Sequence, residues 1–91
     1  MKDKDNSKKR ILLETAGKII KEKRQAQNKG ILLFSYEYDI SNSSISALEK
    51  GERDVQFTTI WKMANALGMS FSEFINELEK QLPQGFKMID D

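Results

Sequence analysis

The sequence predicts an all-α domain of five short helices, and three observations carry that expectation. Apolar residues recur at three- and four-residue steps along most of the chain, the period of helices that bury one face. No segment shows the alternation typical of a strand-rich protein. Residues that start and stop helices, among them Gly30, Ser41, Gly51, Ser70 and Pro83, stand at the borders of the periodic stretches. With 91 residues, 38% of them apolar, the chain fills one modest core but not two, so a single domain over 10–82 is expected.

Residues 1–9 are short, charged and polar and read as a flexible basic arm. From Ile11 the residues Ile11, Leu12, Ala16, Ile19 and Ile20 mark a first amphipathic helix that fades near Gln27. Asn28-Lys-Gly30 supplies a turn, with Gly30 free to take the positive φ that ends a helix. A second helix over 32–38 places Phe34 and Tyr38 on one face, although its aromatic content also suits a strand. Asp39-Ile-Ser41 reads as a tight turn, because Asp tolerates left-handed angles and Ser41 can cap the next helix. That third helix, 42–50, carries Ile45 and Leu48 on one face and Asn42, Ser43, Ser46 and Ala47 on the other, and Gly51 ends it. A fourth starts near Phe57 and presents Ile60, Trp61, Met63, Ala64 and Leu67 as a broad apolar stripe up to Gly68. Ser70-Phe-Ser-Glu73 has capping-box spacing and opens a fifth helix through Phe74, Ile75 and Leu78, which Pro83 stops. The aromatic residues Phe57, Trp61, Phe71 and Phe74 fall at helical spacing and read as core. The tail 83–91 keeps Phe86, Met88 and Ile89, too apolar for a purely solvated end, so it is expected to dock on this domain or to dimerise.

Composition removes most chemistry. There is no cysteine and no histidine, so disulfides, thiolate sites, the commonest metal ligand and the usual general base near neutral pH are all absent. Carboxylate pairs such as Glu49 and Glu52 sit at helical spacing with no metal-ligand cluster beside them, which reads as solvated charge. Neither an enzyme nor a metal, cofactor or small-molecule ligand is expected. The charged amino terminus is followed by no continuous apolar stretch long enough for a signal peptide or a membrane span, so the expected location is cytoplasmic, with no membrane partner. The net charge of +1 hides an asymmetry: residues 1–30 hold ten Lys/Arg and four Asp/Glu, residues 31–91 five and ten. A basic half of that size suits a nucleic-acid partner and equally a solvated helix.

Function rests on local detail. Ser41-Asn-Ser-Ser-Ile-Ser-Ala-Leu-Glu-Lys-Gly51, then Thr59-Ile-Trp-Lys-Met-Ala-Asn-Ala-Leu-Gly68 and Met69-Ser-Phe-Ser-Glu-Phe74, resemble the Cro and phage-repressor class of helix-turn-helix regulators over roughly residues 11–78. The resemblance implies a five-helix repressor-like domain whose second and third helices form the motif. Ser35 supplies the small residue where those helices cross, and Asp39 takes a place usually held by Gly. It also implies that Asn42, Ser43, Ser46 and Ala47 face DNA bases, Asn42 foremost because its amide can pair bidentately with adenine. Phosphate contacts are expected from Ser41, Lys50, Arg53, Gln56 and Thr58, each of which has a plain capping or surface use as well. Arg24 and Glu49 stand at the separation of a structural ion pair found in the family.

The resemblance breaks at Gly30-Ile-Leu-Leu33, where the family has a Ser or Thr cap and a phosphate-gripping Gln. Five acids, Glu37, Asp39, Glu49, Glu52 and Asp54, also surround the expected DNA face, against Lys50 and Arg53. The expected partner is double-stranded DNA, bound as a homodimer through helix five and the tail, Phe74 to Ile89. Two alternatives stand beside a repressor-like transcription regulator. One is a restriction-modification controller or antitoxin-type regulator, which this chain resembles in length. The other is a protein-interaction module, an antirepressor or adaptor, that keeps the fold with little DNA binding.

Overall fold

The computed structural model describes residues 2–89, with side chains from Ser7 to Ile89. Five helices run in chain order: α1 Lys2–Ala26, α2 Ile31–Tyr38, α3 Asn42–Lys50, α4 Phe57–Ala66 and α5 Phe71–Gln81. No strand occurs among the described residues, and none of their helices is long and apolar enough to cross a membrane. The helical backbone of α1 extends back to Lys2, through the segment expected as an arm; Met1 and the side chains of residues 2–6 lie outside the described set.

The core is built where the apolar stripes of all five helices meet. Ile19 and Ile20 from α1, Phe34 from α2, Ile45 and Leu48 from α3, Met63 from α4 and Phe74 from α5 are all essentially closed to solvent. The stripe of α1 is centred on Leu13, Ala16 and Ile19, so Ile11, expected inside, is 40% exposed. A 3.6-residue period fixes a stripe but not its angular centre, and Leu13 lies nearer that centre than Ile11.

The closest packing is between α1 and α3. A Cβ added at Gly17 would stand 2.2 Å from the Leu48 carbonyl oxygen and 2.6 Å from that of Glu49. Glycine is what lets the two backbones touch. Gly51, at φ 68°, then caps α3, and its backbone runs so close to Glu14 that a Cβ there would meet the Glu14 backbone at 2.9 Å. The carboxyl-terminal end of α3 is thus seated in α1, and its amino-terminal end is left outside.

The ends of the helices obey local chemistry. Asn28, at φ 59°, takes the left-handed position after α1, while Gly30, expected there, is extended and precedes α2 without a side-chain cap. Asp39 is left-handed at φ 54° and turns the chain between α2 and α3. Ser70 and Glu73 close a reciprocal capping box at α5, with the Glu73 amide 3.1 Å from Ser70 Oγ and the Ser70 amide 2.8 Å from Glu73 Oε1. Beyond α5 the tail folds back: Lys8 Nζ donates to the Ile89 carbonyl at 2.7 Å, and Phe86 is half-buried beside a groove lined by Leu12, Ile75 and Leu82. Phe74 and Leu78, expected at a dimer surface, are buried in the protomer's own core, because α5 turns that face onto the other helices.

Candidate nucleic-acid interface

A helix that reads DNA needs a rigid seat, an exposed amino-terminal turn and cations around it. The seat is made by charge as well as by Gly17. Arg24 Nε and Nη2 donate to Glu49 Oε2 and Oε1 at 2.6 and 2.9 Å, a bidentate pair whose side chains are 8% and 5% exposed. The third nitrogen, Nη1, donates to the Lys29 carbonyl at 2.7 Å, so the guanidinium joins the end of α1, the approach to α2 and the last turn of α3. The Glu49 hydrogen bond holds the Arg24 pKa above its ordinary value, against burial, which lowers it. Arg24 therefore stays charged at any pH the fold meets.

At the other end of α3, Asn42 and Ser43 are exposed and Ser46 is half-buried. Ser41 caps the helix: its Oγ accepts from the Ser44 amide at 3.1 Å and donates to Ser44 Oγ at 2.7 Å. With that hydroxyl engaged, an anion here meets the free N–H groups of Asn42 and Ser43 rather than the Ser41 side chain. Ala47, expected to face a base, is only 5% exposed and belongs to the core side with Leu48. Position 47 lies two residues from Ile45, about 200° around the helix, so its burial means that α3 is covered on that flank as well as on the side of Ile45.

The phosphate candidates separate into groups. Arg53 lies over the start of α3, its Nη2 3.5 Å from the Ser43 carbonyl. Gln56 is the N-cap of α4, with its side chain exposed and making no cap bond, and it shares a shallow depression with Ser44, Arg53 and Thr59. Thr58 lies on the neighbouring flank with Phe57, Trp61 and Lys62. Lys50 ends α3, about 10 Å along its axis from Ser43. The structure therefore gathers Ser41, Asn42, Ser43, Arg53 and Gln56 and leaves Lys50 apart.

Two features of this surface carry no local sequence signal. Lys62 of α4 donates to the Asp39 carbonyl at 2.9 Å and brings a cation to the turn. Ser35, expected as a spacer, also braces that turn: its Oγ donates to the Ile40 carbonyl, and its own carbonyl accepts the Ile40 amide at 3.2 Å.

The acidic surround is milder than composition suggests. Glu49 is turned inward onto Arg24, Glu37 pairs with Lys29 at 2.5 Å, and Asp54 stands 3.9 Å from Lys9. Asp39 and Glu52 remain, against Lys50, Arg53 and Lys62. The aromatic residues also divide differently from expectation: Phe74 is core, but Phe57 and Trp61 are 64% and 47% exposed. They flank α4 on the side its Met63 and Ala64 do not bury.

A family model described as helix-turn-helix matches residues 20–74, from the second half of α1 to the first turn of α5. No curated protein and no solved structure matches the chain.

Proposed function

The chain belongs to the Cro and phage-repressor class of helix-turn-helix domains, and from that premise we propose that it is a repressor-like transcription regulator reading double-stranded DNA with α3. The observation that carries the reading is the exposed amino-terminal turn of α3, Asn42 and Ser43 with Ser46 beside them, on a helix whose other end is fixed by Gly17 and Arg24. A rigid helix with a free polar tip enters the major groove tip first. Asn42 supplies base discrimination, Ser43 and Ser46 add weaker hydrogen bonds, and Arg53, Gln56, Thr58 and Lys50 with the first amides of α3 position the phosphates. One such helix reads few base pairs, so the functional unit is a homodimer on a paired site.

Selection of binding sites from random duplex, with affinity then measured across salt concentrations, tests the reading. The expected result is a palindromic site whose affinity falls steeply with salt. Asn42→Ala costs about 1–3 kcal/mol on that site and relaxes preference at one base position. Arg53→Gln weakens all duplexes alike and lowers the salt slope by about one. No duplex binding at low salt, or binding indifferent to Asn42, would reject the proposal.

One observation favours a second reading, a protein-interaction module. Leu32, Leu33 and Tyr36 of α2 are 73%, 47% and 86% exposed, the first two in the turn where the resemblance places a phosphate grip. Replacing Leu32 and Tyr36 by Ser separates the two: a DNA reader keeps its site, whereas an adaptor loses its partner.

A further inference from the structure

Leu12, Ile75, Leu78, Leu82, Phe86 and Met88 line one groove, and all of them lie outside residues 20–74, the part of the chain that the family model matches. The tail reaches this groove by a specified path. The Phe86 amide donates to the Pro83 carbonyl at 3.0 Å, and Gly85 inside that turn has φ 74°, the left-handed angle that such a turn reserves for glycine. Phe86 is thereby returned to the groove half-buried, and three residues on, the Ile89 carbonyl accepts from Lys8 Nζ at 2.7 Å. Leu12 and Lys8 are one turn apart on one flank of α1, so the tail runs along that flank toward the start of the helix. Lys8 is half-buried there, while Lys9 and Arg10 are exposed.

This crossing accounts for a stretch of helix that has little else to hold it. The fully buried residues of α1 begin at Leu13. The polar turns ahead of them are too few to stay helical alone in water, where even segments of about 12–15 residues are marginal. The same turns carry Lys9, 3.9 Å from Asp54, and Asp54 shares a depression with Arg53 and Gln56. The tail, the first turns of α1 and the loop ahead of α4 are therefore linked in series.

We propose that the tail is an intramolecular strap. Closed over Leu12 and Lys8, it keeps the first turns of α1 helical and, through Lys9, keeps Asp54 neutralised beside the phosphate contacts; open, it releases both. The strap stands without DNA, and its effect through Asp54 rests on the DNA reading above.

Amide hydrogen exchange on the full-length chain tests the strap. Phe86→Ser, which empties the groove, and Gly85→Val, which the turn angle disfavours, each speed exchange about tenfold over residues 8–13 and leave α3 and α4 within about twofold of the parent, because the strap opens as a separate unit. Phe86→Leu restores the protection, since another apolar side chain still fills the groove. Ile89→Ala leaves it unchanged, because the clasp is a backbone carbonyl and the Ile89 side chain is 69% exposed. On a selected duplex at low salt, Phe86→Ser lowers affinity about threefold, the scale of one exposed charge pair, and adding Asp54→Asn returns it. Equal acceleration in α1, α3 and α4 would make the tail an ordinary part of the core and overturn the strap, as would parent-like exchange in both tail variants. A dimer in sedimentation that Phe86→Ser dissolves overturns it too, since the tail would then cross to a second copy. Opened first turns of α1 with unchanged duplex affinity overturn the link through Asp54. If no duplex binds at all, the DNA reading falls and exchange alone decides the strap.

Discussion

Removing the Glu49 carboxylate leaves the Arg24 guanidinium desolvated and without its bidentate partner, and an uncompensated buried charge is among the costliest defects a core can carry. Glu49→Ala is expected to lower unfolding free energy by about 3 kcal/mol in urea denaturation. Arg24→Met with Glu49→Leu together cost far less, because no lone charge remains. Equal losses in the single and double variants would show that packing, not charge, sets the value. Gly17 acts at the same seat by a different force. With backbone carbonyl oxygens at 2.2 and 2.6 Å from an added Cβ, no side-chain rotation relieves Gly17→Ala, so α1 has to lift off α3. The expected loss is about 3 kcal/mol or more, at the upper end of overpacking, seen as a thermal midpoint far below the parent. Nothing in the local sequence marks this position. A glycine inside an amphipathic stripe looks like a weak helix residue, and only the crossing point of α1 and α3 gives it meaning.

At the scale of the element, what was legible was chemistry that acts within four residues. Ser41, Asp39, Gly51 and the Ser70–Glu73 box mark helix ends because the groups they satisfy are their own neighbours. What was hidden was the orientation of each stripe. Ala47 and Phe57 sit where a one-residue rotation moves a side chain between core and solvent, and the covering helix decides which. α2 is the element with the weakest local support, since Gly30 provides no side-chain cap and its first turn carries no acid. A Cβ at Gly30 meets nothing within 4 Å, and its φ of −76° is open to any residue. Gly30→Ser is therefore expected to add a few tenths of a kcal/mol, roughly 1–3 °C in melting temperature. On the DNA reading it also tightens duplex binding, because a hydroxyl returns to the phosphate side of α2. A lower midpoint would mean that the start of α2 is held by something other than its cap.

Over the whole molecule, the basic first third and the acidic remainder are joined rather than merely adjacent. Arg24–Glu49, Lys29–Glu37 and Lys9–Asp54 each run from the basic segment to an acid on or beside the helix-turn-helix. Net charge by segment cannot show this, because it counts charges without their partners. On the DNA reading, Lys9, Arg24 and Lys29 serve the face of α3 indirectly, by neutralising acids that would otherwise repel phosphate. Lys29 is the sharpest place to test it. Its Nζ donates to Glu37 and stands 5.2 Å from the Tyr38 ring centroid, and the Glu37 hydrogen bond, first among the causes, raises its pKa. The raised value keeps the Lys29 ammonium charged throughout the neutral range, so mutation rather than pH is the useful probe. Lys29→Met keeps an unbranched apolar side chain and removes the charge. Exposed pairs contribute little to stability, so the melting temperature is expected to stay close to the parent. Duplex affinity at low salt falls severalfold, because Glu37 then faces the phosphates unneutralised, and the loss shrinks as salt screens it. Adding Glu37→Gln restores the affinity without restoring the cation. Were Lys29→Met and the double variant to bind equally weakly, Lys29 would be touching phosphate itself; were neither to differ from the parent, Glu37 would lie outside the field that DNA feels.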